Sequence, residues 1–220
     1  MTWFVGCAQN LHLGMYKRSV MNFVKLYLIT SKNMNGINPQ KITDFNRTKA
    51  ELELFAVFAV CVAGKRAKVM AKKVNDCFLE CWTPTARLSP FEMIKSLLNI
   101  RIFGAYLQSN RFGQYKRLWR ALKELSDLDV ATCSREDLEK VHGIGPKTSR
   151  FFLMHSRPNQ QFATLDTHVL KWLRSKGVDA PKDTPQSKKV YAKLERKFLQ
   201  LCKDERKLPA DMDLKIWKCY

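Results

Sequence analysis

The sequence has no C-x-x-C pair. Its seven cysteines (Cys7, Cys61, Cys77, Cys81, Cys133, Cys202 and Cys219) are odd in number and scattered. That pattern argues against a disulfide framework and for reduced thiols in a cytoplasm-like compartment. Cys77 and Cys81 stand one helical turn apart, but with no second pair nearby they read as buried thiols, and no zinc or other metal is expected. Long apolar runs are also missing. The opening segment, 1–30, is apolar in patches that Lys17, Arg18 and Lys25 interrupt before a bilayer could be spanned. Its charges follow rather than precede the apolar stretch, the reverse of a secretory signal. It reads as a helix capping the fold or as an extension of low order. No sustained alternation marks strands, and no repeat or low-complexity tract is present. The expected fold class is therefore all-α.

Acidic residues are few. Against 39 Lys and Arg stand 20 Asp and Glu, a formal charge of +19. A basic field of this size attracts phosphate backbones and raises association rates, although it specifies neither sequence nor chemistry. At 220 residues and 45% hydrophobic content, the chain can bury a sizeable core as one domain or as two closely packed lobes.

A loop rich in Asn, Gly and Pro (Asn33 to Pro39) precedes the strongest helical pattern, Ala50 to Phe78. Leu52, Phe55, Val57, Phe58, Val60 and Val62 are apolar nearly all round, as in a core helix. Lys65, Arg66, Lys68, Lys72 and Lys73 follow as a solvated or phosphate-facing stripe, with the break between the two at Gly64. After a loop with Pro84, Ser89 is an N-cap with Pro90 at the first helical position and Glu92 at the third; Met93, Ile94, Leu97 and Leu98 form the apolar face. A short turn then leads to an amphipathic helix with Tyr115, Leu118, Trp119 and Leu122 at helical spacing, of which Trp119 reads as core and not as a base-stacking platform. The tail reads as a basic amphipathic helix (Val190, Leu194, Phe198, Leu201) and an acidic turn, with Trp217 and Tyr220 packed on the body.

The informative segment is Ser134 to Arg174. Ser134 caps a short helix with Asp137 at its third position; Leu138 and Val141 lead into His142, Gly143, Ile144 and Gly145; Pro146 opens a second helix. The glycines permit a tight turn and let backbone N–H groups approach a phosphate, aided by the positive end of the second helix. Ile144 is expected to plug into the core. As a bare pattern this is also an ordinary helix connector. Asp166, within Thr164 to His168, then caps a helix with Val169, Leu170, Trp172 and Leu173 on its apolar face.

Together, HGIGPKTSRFF and ATLDTHVLKWLR resemble the helix-hairpin-helix DNA glycosylase superfamily, typified by endonuclease III and 8-oxoguanine glycosylases. The resemblance puts Lys147 on that family's catalytic lysine and Asp166 on its catalytic aspartate. It implies a helical barrel lobe over about 50–150 that includes the hairpin, 134–156, and a second lobe from 1–49 and 157–220, with the active site in the cleft between. His142, Gly143, Ile144, Gly145 and Thr148 would bind DNA. The implied partner is double-stranded DNA with a damaged or modified base, bound by a monomer, with no cofactor and no membrane. The implied location is the nucleoid-associated cytoplasm or the nucleus.

The chemistry suits that pair. Breaking the bond between a base and C1′ builds oxocarbenium character that a fixed carboxylate stabilises. A neutral lysine amine can attack C1′, and the resulting Schiff base permits elimination of the 3′ phosphate. Family members without this lysine only remove bases, so its presence implies associated lyase activity. Three features depart from the family pattern. His142 replaces the usual hairpin proline. Where relatives carry S-Q-N-T or a similar polar run, this chain reads Val62, Ala63, Gly64, Lys65, so Lys65, Arg66 or another loop must fill the space left by a flipped base. Only Cys202 and Cys219 remain of any C-terminal cysteine set, so no iron-sulfur cluster is expected. His155 and Arg157 read as solvated or as lining the DNA groove. Two other readings stay open: a glycosylase-like enzyme acting on modified bases of the phage type, and a hairpin module that binds DNA without chemistry. Among substrates an oxidised purine is slightly preferred, because the Lys147 to Asp166 interval resembles that of the 8-oxoguanine branch.

Overall fold

The computed structural model describes residues 34–79 and 88–219. The opening segment with Cys7, the stretch with Cys81 and Pro84, and Tyr220 lie outside them. Ten α-helices and no strand occur among the described residues, as the all-α expectation requires. Thr48 opens α1 (Lys49–Cys61) through a reciprocal capping box with Glu51. The helix ends before a turn in which Gly64 has φ +70°, a left-handed conformation that glycine adopts without strain. The basic stripe begins there, and α2 (Ala67–Val74) carries it into a π-helical turn, Asn75–Leu79. Ser89, Pro90 and Glu92 start α3 (Pro90–Asn99) with a second capping box.

The short turn expected after α3 is a helix, α4 (Phe103–Ser109). Arg101, at φ 58°, closes α3, and α4 buries Phe103, Tyr106 and Leu107 while the Tyr106 hydroxyl donates to the Cys77 carbonyl at 2.6 Å. Helix α5 (Tyr115–Leu125) buries Leu118, Ala121, Leu122 and Leu125. That stripe excludes the flanking aromatics: Tyr115 is 37% and Trp119 38% exposed, which overturns the expected place of Trp119 in the core. The hairpin consists of α6 (Arg135–Lys140) and α7 (Pro146–Ser156), and Asp166 caps α8 (Thr167–Ser175). In α9 (Lys188–Asp204) the buried positions are Tyr191, Leu194, Phe198 and Cys202, with Val190 exposed, so the apolar face lies one residue further along at both ends than expected. The acidic turn of the tail is instead helix α10 (Pro209–Cys219), whose Met212 and Ile216 are buried.

Two apolar clusters result. One gathers buried residues between Ile37 and Leu153 around α1, which touches α2, α3, α5 and α7. At its centre Phe55 stacks on Phe152 (ring centroids 5.4 Å apart) beneath the Arg47 guanidinium (4.2 Å); truncating such a ring costs about 3–5 kcal/mol. The other gathers buried residues between Ala163 and Ile216. Helix α10 touches α7, α8 and α9, so the C-terminal helix meets elements of both clusters.

Arg150 joins them as well. From α7, its buried guanidinium donates to Glu139 of α6 (3.0 Å) and Glu195 of α9 (2.7 Å) and lies over the Tyr191 ring (4.5 Å). Glu195 also accepts the Ala163 N–H (3.0 Å). The Tyr191 hydroxyl donates to the Ala163 carbonyl (2.7 Å) and accepts the Leu165 N–H (3.2 Å), while Thr184 donates to the Leu165 carbonyl (2.8 Å). The segment leading into Asp166 is irregular but bound on every side.

Candidate active site and DNA interface

The hairpin turn is held from beneath. His142 donates its N–H to Glu124 at 2.6 Å; the Arg120 side chain and this N–H hold the Glu124 carboxyl below its ordinary value. Ile144 is 5% exposed and its N–H donates to the Val141 carbonyl, so it plugs the turn and its amide is already taken. Gly143 has φ +77°, which favours glycine, and a Cβ there would press on the Arg117 side chain at 3.3 Å. Gly145 is different. Its backbone is extended (φ −99°) and a Cβ would meet nothing within 4 Å. It is the N-cap of α7, no side chain caps that helix, and the Gly143 and Gly145 N–H groups make no hydrogen bond among the described residues. Unsatisfied donors and the positive end of the helix dipole face outward here, as an anion site requires.

Beside the turn lies a cavity of about 750 Å³. The C-terminal part of α1, the turn after it, the start of α7, residues of 164–168 and α10 all contribute to its wall. Lys147 and Thr148, on the first turn of α7, are half-buried and line it. The Lys147 amine makes no hydrogen bond or ion pair among the described residues. Asp166 faces the same space, one carboxylate oxygen accepting the Val169 N–H at 2.9 Å as a helix cap. Burial pushes the Asp166 carboxyl above its ordinary value; the Val169 N–H opposes that shift, Asp213 adds to it, and Lys147 and His168 oppose it. Thr164 also lines the cavity, with a buried hydroxyl that has no partner among the described residues.

Lys65 and Arg66 line the cavity too, but in different ways. The Lys65 amine donates to the Phe112 carbonyl at 2.7 Å, and burial is the main reason its affinity for a proton is lowered. Arg66 is exposed. His155 and Arg157 match neither reading offered by the sequence. His155 is fully buried, its ring bonded to Thr43 (2.8 Å) and Asp213 (3.0 Å); Arg157 donates to the Val130 carbonyl and the Cys133 sulfur. Asp213 was missed by sequence reasoning and lines the cavity from α10. Its signal was a lone acid between Met212 and Ile216 on an apolar helix face. Trp217 is half-buried on the same wall. Among the described residues no group of three His, Cys, Asp or Glu could hold a metal ion, and no helix is long and apolar enough to cross a membrane.

An all-helical fold, a Gly-Ile-Gly hairpin with outward amides and a cavity carrying a lysine and a carboxylate define a helix-hairpin-helix protein of the DNA glycosylase type. The family model described as 8-oxoguanine DNA glycosylase matches residues 38–206, most of the chain, and the chain belongs to that family. No solved structure matches it. Membership makes it an enzyme of the DNA glycosylase class and a DNA-binding protein.

Proposed function

We propose that this glycosylase excises an oxidised purine from duplex DNA and then cuts the abasic site, with Lys147 as nucleophile and Asp166 as the stabilising carboxylate. The observation that carries this reading is a Lys147 amine without a hydrogen bond or ion pair among the described residues and a half-buried Asp166 carboxylate lining the same cavity, next to an uncapped helix end suited to phosphate. Its neutral amine attacks C1′ while the electrons of the C1′–base bond leave with the base, which takes up a proton. The attached nitrogen then loses a proton, its lone pair forms the C1′–N double bond as the C1′–O4′ bond breaks, and the ring oxygen takes up a proton, which gives the Schiff base. The Asp166 charge balances positive charge developing on the sugar. The hairpin amides and Thr148 would hold the backbone, and Arg66, the exposed cation of the pair at the cavity rim, would occupy the space left by the flipped base. The site would then lie where the two apolar clusters meet, each cluster being the core of one lobe.

Borohydride reduction tests this. The parent protein should be trapped covalently on duplexes containing an oxidised purine, and Lys147→Gln should abolish trapping. Equal trapping of the variant would assign the nucleophile to another amine. A panel of single-lesion duplexes, including enzymatically modified pyrimidines, decides the base, and preference for a modified pyrimidine would replace the oxidised-purine assignment.

A further inference from the structure

The cavity holds a second carboxylate that base release does not require. Asp213 sits on α10 with one oxygen against His155 Nε2 at 3.0 Å, while its other oxygen makes no hydrogen bond among the described residues. The His155 ring has no freedom: it is fully buried, its other nitrogen meets the Thr43 hydroxyl at 2.8 Å, and Phe151 packs edge-on with centroids 5.0 Å apart. The residues around Thr43 are themselves strapped to the end of α7, since the Asp44 N–H (3.1 Å) and the Arg47 guanidinium (2.9 Å) both donate to the His155 carbonyl. A Thr43, His155 and Asp213 chain therefore fixes a carboxylate on the cavity wall. Its free oxygen is available to an occupant of the cavity that Asp213 lines. Asp166 likewise has one oxygen engaged, at its helix cap, and in the reading above its charge is already assigned to the sugar during base release.

Resting on the lyase reading above, we propose that Asp213 is the proton acceptor of the strand-cutting step and that His155 is its positioning residue. In the Schiff base, C1′ is doubly bonded to the Lys147 nitrogen. Asp213 takes a proton from C2′, and the C–H electron pair forms a C1′–C2′ double bond as the iminium becomes an enamine. That pair then returns toward C3′, a C2′–C3′ double bond forms, the iminium is restored, and the C3′–O bond breaks with its electrons leaving on the phosphate. No oxidant or metal enters, and the proton on Asp213 passes to water.

An abasic-site duplex separates this step from base choice. For each protein, borohydride-trapped adduct and cleaved strand are measured on the same preparation, so an unfolded fraction lowers both and cancels in their ratio. Asp213→Asn should lower the ratio of cleavage to adduct by roughly a hundredfold, the scale of a lost general base. Asp213→Glu should recover part of it, and His155→Gln should lower it in the same direction by less. A fall of adduct and cleavage together in Asp213→Asn, or an unchanged ratio, would overturn the assignment. A parent protein that is neither trapped on the duplex nor cuts it would instead overturn the lyase reading on which the assignment rests.

Discussion

Helices α7 and α8 both start at the wall of one cavity, and their first turns are finished differently. At α7 the cap position is Gly145, with no side chain to satisfy the terminal N–H groups and open space where a Cβ would stand. At α8 the cap position is Asp166, whose carboxylate closes the helix on itself through the Val169 N–H. The same backbone problem, terminal N–H donors without intrahelical partners, is left to an incoming group in one case and answered internally in the other. The open end suits a phosphate; the closed end presents a fixed negative charge to whatever lies beside it. The difference rests on one residue at each helix start, Gly145 and Asp166.

The comparison can be broken at either end. The largest effect is expected from Asp166→Asn, which keeps the cap, since Asn caps as well as Asp, and removes the charge. Single-turnover base release should fall by roughly a hundredfold or more with near-normal folding and duplex affinity; release at the parent rate would leave Asp166 a cap only. The converse is Gly145→Asp, which makes the two helix starts alike. Binding to lesion and plain duplexes should weaken by similar factors, about tenfold, because a carboxylate would occupy the anion site. Stability should hold or rise by a few tenths of a kcal/mol, roughly the gain of Asp over Gly at a cap. Loss of lesion discrimination alone would put the hairpin in the base pocket. The smallest effect concerns pH. Burial raises the Asp166 carboxyl in the folded protein, so its favourable contribution is complete below the unfolded value, about pH 4, and is lost as pH rises through the folded value. Melting of Asp166→Asn and parent should therefore converge near that lower limit, with the variant gaining relative stability toward neutrality. Base release by the parent should decline on acidification through the same range. A melting difference that does not vary with pH would show that Asp166 carries no burial cost.

The two helix starts were legible in the sequence because caps and turns are local. Ser134, Asp137, Pro146 and Asp166 announce themselves within three or four residues, and the capping boxes at Ser89 and Ser134 formed as their spacing predicts. The roles of the two hairpin glycines were less legible. Only Gly143 has the left-handed backbone, a distinction that depends on Arg117 and the path of the chain. Trp119 misled because apolar spacing marks a stripe without saying which edge is covered, and α5 turns its Leu118, Ala121, Leu122 and Leu125 inward instead. His155 and Asp213 could not be paired from sequence at all. They are far apart in the chain, and nothing local tells a histidine near a helix end that an acid from the last helix will meet it.

The binding of residues 163–165 has a consequence for motion. Segments without regular structure usually exchange their amide hydrogens quickly, but the Ala163 and Leu165 N–H groups are held by Glu195 and Tyr191 of α9. Their exchange with heavy water therefore requires α9 to lift away. The carboxylate of Asp166 follows directly on these anchored residues, so its position is set by their contacts with α9 and not by the freedom of a loop.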